Sequence, residues 1–151
     1  MSGSLLKTRL SDAMKDAMRA RDKARLGAIR LILADIQRIE VDERCTLDDT
    51  RILAVLDKMT KQRRDAMQQY VQAERADLAA QEQFELDLIA EFLPAALSPA
   101  ELDTLISQAV ATSAAESVRD MGKVMAILKP QVQGRADMGA VSQRIKALLA
   151  E

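Results

Sequence analysis

The sequence predicts an all-α fold, and three observations carry that expectation. Apolar residues recur every three to four positions along almost the whole length. Residues suited to opening helices stand where those stripes begin. Helix breakers are few and gathered: Pro94 and Pro99 lie in "LPAALSP" at 93 to 99, while Pro130, Gly134 and Gly139 lie in "KPQVQGRADMG" at 129 to 139. With 151 residues, the chain can bury roughly 68–70% of its unfolded surface, enough for one ordinary domain or two small ones.

The elements follow in order. Ser4 can cap a first helix carrying Leu6, Leu10, Met14 and Ala17, which ends near Arg21. Asp22 can cap a second, whose stripe of Leu26, Ile29, Leu33 and Ile36 is widened to a face by Ile32 and Ile39. A turn is expected at Val41 to Cys45. Thr46 followed by Asp49 has capping-box spacing, with Asp in place of Glu, and opens the longest helix. Its face is Ile52, Leu56, Met59, Ala66, Met67 and Tyr70, interrupted by Lys61, Arg63, Arg64 and Asp65. Asp77 is expected to start a fourth helix carrying Leu78, Leu86, Ile89 and Leu93, which Pro94 stops.

Ser98, Pro99 and Glu101 supply a cap, a first-turn proline and a capping-box glutamate, so "LPAALSP" reads as a linker. The boundary is expected there, with a first domain of four helices over 1–94 and a second of three over 95–151. The three are Pro99 to about Thr112, Ser117 to about Leu128, and Asp137 to Ala150. Between the last two, Pro130 is expected to end a helix, Gly134 to take a positive φ, and Asp137 to cap the next helix.

Composition removes many functions. The chain has 1 cysteine and 0 histidines, which excludes zinc sites built from those ligands, Ser-His-Asp and Cys-His pairs, and histidine proton shuttles. Neither GxGxxG nor GxxxxGK[ST] occurs, and no cofactor is implied. The lone Cys45 cannot pair within the chain, which suggests a reducing, cytoplasmic setting. Met1 to Leu10 lacks a signal-peptide core, and no window approaches the ~20 apolar residues of a membrane span, so no membrane partner is expected.

The net charge of −1 conceals an asymmetry. Leu5 to Arg30 carries eight basic residues against three acidic, Asp35 to Glu91 eight against fourteen, and Thr104 to Ala150 six against three. A pI of 5.6 therefore still permits a local polyanion partner, because binding responds to local fields. Solvated helix faces and internal pairing account for the same pattern.

The turn at 129 to 139 has two readings at this stage. Any helix corner wants a proline, a glycine and a capping aspartate. The same stretch also gathers Lys123, Lys129, Arg135, Arg144 and Lys146 around a helix N-terminus, where cations and backbone N–H groups can meet phosphates. Elsewhere, Arg63 and Arg64 can form a second basic patch or pair locally with Asp57 or Asp65, the latter being favoured. Glu82 and Glu85 share a face at i, i+3 spacing without the Glu-x-x-His partner of a carboxylate metal site. Met14, Met18, Met59 and Met67 read as core filling. Cys45 has no activating neighbour and is assigned no catalytic role.

"DMGKVMAILKPQVQGRAD" at 120 to 137, followed by an amphipathic helix, resembles the C-terminal signature of the GatB/YqeY family. That signature has a Gly-x-x-Met helix and a Gly-Lys/Arg-Ala-Asx turn, which fall here on Gly122 with Met125 and on Gly134, Arg135, Ala136 and Asp137. "AMKDAMRARDKARLGAIRLI" at 13 to 32, "KQRRDA" at 61 to 66 and "LDLIAEFLP" at 86 to 94 are similar to stand-alone YqeY proteins. The resemblance covers nearly the whole chain. It implies an all-α protein of two helical domains and kinship with glutamine-dependent tRNA amidotransferases, whose B-subunit tail contacts tRNA.

Such families are described as having carbon–nitrogen ligase activity with glutamine as amido donor. No Ser/Ser/Lys nucleophile in a glycine- and serine-rich setting and no ATP-metal pocket is encoded here, so any part in amidation is expected to be that of an accessory subunit. Tyr70, Phe84 and Phe92 are the only aromatics, and all lie in the first domain, which argues against base stacking. The expected partner is tRNA or other structured RNA, held through its backbone by Lys123, Lys129, Gly134, Arg135, Arg144 and Lys146. The alternative is a protein-interaction adaptor docking on an amidotransferase or aminoacyl-tRNA synthetase through an apolar face.

Overall fold

A computed structural model describes residues 4–150. Those residues form seven α-helices, a short 3₁₀ segment and no strand, as the all-α expectation requires. The helices are α1 (Leu5–Ala20), α2 (Lys23–Glu43), α3 (Asp49–Gln72), α4 (Ala76–Ala90), α5 (Pro99–Ser113), α6 (Met121–Val132) and α7 (Met138–Leu149), and the 3₁₀ segment is Val118–Asp120. They gather into two compact units, Met1–Leu93 and Pro94–Glu151, each with its own apolar core. The first three residues of the Met1 to Leu10 stretch lie outside the described residues. No described helix is long and apolar enough to cross a membrane.

In the first unit, burial follows the helical stripes. Leu10 of α1, Ile29 and Ile36 of α2, Ile52 and Leu56 of α3 and Ile89 of α4 are fully or almost fully buried in one core. Each such side chain contributes about 1.5–3 kcal/mol by leaving water. Tyr70 is only half-buried, and Met18 is exposed instead of filling core. Leu47 and Phe92, on no helical stripe, are buried from the connecting segments.

Two carboxylates fix the corner where α1 begins, α2 ends and α3 begins. The Ser4 hydroxyl accepts from Lys7 N–H at 3.1 Å and donates to Asp49, which also accepts the Leu6 N–H at 3.1 Å. Asp49 thereby helps to cap α1 from within α3. Glu40 receives Lys7 Nζ at 2.7 Å and the Leu47 N–H at 2.9 Å.

At the far end of the unit, Arg25 makes a bidentate pair with Glu91 at 2.8 and 3.0 Å. Arg9 donates to the Glu91 carbonyl at 3.1 Å and lies 5.5 Å from the centre of the Phe92 ring. Both arginines anchor the segment in which the unit ends.

Several boundaries differ from the sequence expectation, each for a local reason. Val41 to Cys45 is not a turn throughout: α2 continues to Glu43, and Arg44 ends it in the left-handed region at φ 54. Thr46 is not the cap of α3. Asp48 takes that place, accepting from Arg51 N–H at 2.9 Å, because Asp49 is engaged with α1. Asp77 lies in the first turn of α4 and does not cap it. That helix ends at Ala90 before reaching Pro94, winding down through i to i+3 bonds from Glu91, Phe92 and Leu93.

The Glu40 carboxyl is held below the usual carboxylate range, first by Lys7 Nζ and then by the Leu47 N–H. A carboxyl more acidic in the folded state contributes fully above its unfolded pKa, and that contribution is lost as pH falls through the folded value. Glu40→Gln should therefore lower stability at neutral pH by about 1 kcal/mol, the modest figure reflecting the solvent access of Lys7. Thermal melts should show the gap to the parent protein closing as pH falls below the usual carboxylate range. A gap unchanged with pH would contradict this role.

Candidate nucleic-acid interface

The second unit is built on a core of Leu102, Ile106 and Ala109 from α5, Val124, Leu128 and Val132 from α6, and Val141, Ile145 and Leu149 from α7. The capping box before α5 forms as expected. The Ser98 hydroxyl accepts the Glu101 N–H at 3.1 Å, and the Glu101 carboxylate accepts the Ser98 N–H at 3.1 Å. That backbone bond is the first cause of the depressed Glu101 pKa, and the charge of Arg135 adds to it. The sixth helix begins later than Ser117: the 3₁₀ segment precedes it, and α6 starts at Met121.

The turn between α6 and α7 is a helix corner. Pro130 does not end α6, which runs on to Val132. The missing N–H leaves the carbonyl of Ala126, an exposed residue, without its usual i+4 donor, a loss that water can make good at a helix surface. Gly134 takes φ 76, where a side chain would be strained. The Arg135 and Ala136 N–H groups donate to the Val132 carbonyl at 2.8 and 3.1 Å. Asp137 caps α7 by accepting the Gly139 N–H at 3.2 Å.

Arg135 carries a duty that sequence reasoning did not assign. Its carbonyl accepts the Leu97 N–H at 2.9 Å, and its Nε donates to the Ala95 carbonyl at 3.0 Å. The corner therefore clasps the stretch that leads into α5. The half-buried guanidinium keeps its terminal nitrogens for other partners.

The remaining cations divide into paired and unpaired. Lys123 lies 3.5 Å from Asp120, whose carboxyl is held low first by the Glu116 N–H. Arg144 reaches from α7 to Asp103 on α5. Lys129 and Lys146 are exposed and have no carboxylate partner among the described residues. Arg144 and Lys146 leave opposite flanks of α7, since positions two apart are about 200° apart around a helix. Arg119, in the 3₁₀ segment, is likewise exposed and unpaired. It falls within the basic count of this region but outside the signature stretch at 120 to 137.

In the first unit, Arg63 pairs with neither Asp57 nor Asp65. It reaches across to α4, with Nε 3.1 Å from Glu85 and Nη1 3.6 Å from Glu82. The two carboxylates that share a face thus hold an arginine, and one Glu82 oxygen is buried without a hydrogen bond. Arg64, next in sequence, has no such pairing. Among the described residues no group of three His, Cys, Asp or Glu side chains is placed to hold a metal ion.

Fold and site together define an all-α protein of two helical units, the second closed by a glycine-marked corner that carries the exposed Lys129 and the half-buried Arg135. The sequence model described as Yqey-like protein matches residues 7–149, and the chain belongs to that family. The relatives include "Altered inheritance of mitochondria protein 41, mitochondrial" from three fungi. The Vanderwaltozyma polyspora protein is 33% identical over 102 residues, covering 66% of this chain and 55% of its own length. The Pyrenophora tritici-repentis protein is 28% identical over 145 residues, covering 93% and 79%. The Candida glabrata protein is 27% identical over 141 residues, covering 91% and 74%. Measured on the first of these, the chain spans little more than half of the relative.

The clasp makes a local prediction. Arg135→Ala removes the bond to Ala95 and should destabilise the second unit by about 1 kcal/mol. Limited proteolysis should then cut faster within residues 94–98, with helix content by circular dichroism unchanged. Equal cleavage of variant and parent would remove the clasp from the account.

Proposed function

We propose that the protein is a non-enzymatic RNA-binding accessory module, with tRNA or another structured RNA held through its phosphate backbone by the second unit. The observation that carries this reading is the division of cations there. Asp120 and Asp103 engage Lys123 and Arg144, whereas Lys129, Lys146 and Arg119 stand exposed without carboxylate partners among the described residues. Arg135 adds its free guanidinium nitrogens beside Gly134, at the start of α7. Cations spaced over a surface suit successive phosphates, which position an RNA without reading its sequence.

The reading ties the chain to translation in a reducing compartment, here the cytoplasm. The relatives' printed names place those proteins in mitochondria. Kinship with glutamine-dependent tRNA amidotransferases, and the carbon–nitrogen ligase description that goes with it, would make this chain an RNA-holding accessory to an amidation catalysed elsewhere. A second reading draws on exposed apolar side chains of the same unit, Val118 and Leu148. These suit an adaptor that docks on an amidotransferase or aminoacyl-tRNA synthetase.

Fluorescence anisotropy with labelled tRNA at low salt separates the two. Lys129→Ala with Lys146→Ala should weaken binding by about tenfold. Lys123→Ala, which removes a cation already paired, should change it by less. Unaltered affinity in the double variant would exclude this surface as the RNA site. Partner capture that survives ribonuclease treatment and is lost in Leu148→Glu would favour the adaptor.

A further inference from the structure

The first unit carries an open groove of about 410 Å³ between α3 and α4, independent of the RNA reading. A turn of three residues joins these helices, which makes them an antiparallel hairpin. On α3 the lining residues Thr60, Arg64, Met67 and Gln68 recur at helical spacing. Val71 extends that row toward the turn and is 63% exposed. On α4 and just beyond it, Gln83, Leu86, Asp87, Ala90 and Leu93 form the facing row at the same spacing. Two ridges of this kind leave a trough for a third helix to lie in.

The trough has an apolar floor and charged walls. Met67, Leu86 and Leu93 are only partly buried, and Met67 can adjust to the shape of a guest. Arg64 stands on the α3 wall and Asp87 on the α4 wall, and no ion pair joins them. Arg64 contrasts with its neighbour Arg63, which two carboxylates hold inside the fold. Asp87 is steadied by the Gln83 amide, which donates to it at 2.8 Å and leaves its other oxygen free. Thr60 satisfies its hydroxyl on the Leu56 carbonyl, so that end of the trough asks nothing polar of a guest.

From this arrangement we infer that the α3–α4 trough is a docking site for an amphipathic helix of a partner protein. The partner helix carries an apolar stripe, flanked by acidic residues on one side and basic residues on the other. The stripe covers Met67, Leu86 and Leu93, the acidic flank meets Arg64, and the basic flank meets Asp87. Opposite charges on the two walls also set direction, because reversing the guest exchanges its flanks. From Thr60 to Gln68 the trough runs about 12 Å, or a little over two helical turns, which suits a guest of about eight to ten residues.

The test uses synthetic fifteen-residue helical peptides with the full chain. One has leucines at helical spacing with glutamates on one flank and lysines on the other. Two controls keep the leucines and carry only lysine or only glutamate flanks. Fluorescence polarisation should show the mixed-flank peptide binding saturably and more tightly than either control. Arg64→Glu or Asp87→Lys alone should weaken it by about tenfold, and the double reversal should restore it with the peptide docked in the opposite direction. Both positions are exposed, so thermal melts should match the parent protein, and restoration in the double variant excludes a folding defect. No saturable binding, or binding indifferent to flank and variant, overturns the proposal. A concentration-dependent dimer in sedimentation that Leu86→Lys abolishes would assign the trough to a second copy and overturn it equally.

Discussion

Asp49 and Glu40 hold the point at which three helices of the first unit converge, and the rest of that unit is arranged from it. Asp49 takes the Ser4 hydroxyl and the Leu6 N–H, while Glu40 takes Lys7 Nζ and the Leu47 N–H. With α1 tied down there, Leu6 and Leu10 face the core that Ile29, Ile52 and Leu56 complete. The same constraint recurs through the molecule. In a chain of 22 basic and 23 acidic residues without histidine, charge pairs tie helix to helix at Lys7–Glu40, Arg63–Glu85 and Arg144–Asp103.

Seen that way, Arg63 and Arg64 are instructive. They are adjacent in sequence and equivalent in chemistry, yet one bridges α3 to Glu82 and Glu85 while the other faces an open trough. Arg135 combines both roles, holding the stretch before α5 through its Nε while its terminal nitrogens remain available. In the second unit the carboxylates of Asp103 and Asp120 fix which cations stay free. A count of basic residues therefore overstates the free positive charge of this unit.

Much of the fold was legible because its signals are local. Ser98, Pro99 and Glu101 form the expected capping box, Ser4, Asp22 and Asp137 cap their helices, and Gly134 takes the positive φ assigned to it. The misses have a common cause, which is that tertiary partners decided them. Asp48 caps α3 because Asp49 is committed to α1, and Arg63 finds its carboxylates on another helix. Arg44, Glu74 and Ala114 adopt left-handed backbone without glycine, so the ends they mark carry no residue signal. Pro130 misled because a proline in the last turns of a helix costs only one exposed carbonyl its donor. Of the candidate cations, sequence could not show that Lys123 and Arg144 are paired or that Arg119 is exposed.

Salt dependence measures the number of free cations on the second unit most directly. Each phosphate neutralised contributes about −0.7 to −0.9 to the slope of log Kobs against log salt. With Lys129, Lys146, Arg119 and Arg135 engaging RNA and the paired cations staying paired, titrations of tRNA should give a slope of about −3. A slope near zero, or one steeper than about −5, would contradict the division between paired and unpaired charge on which the reading rests.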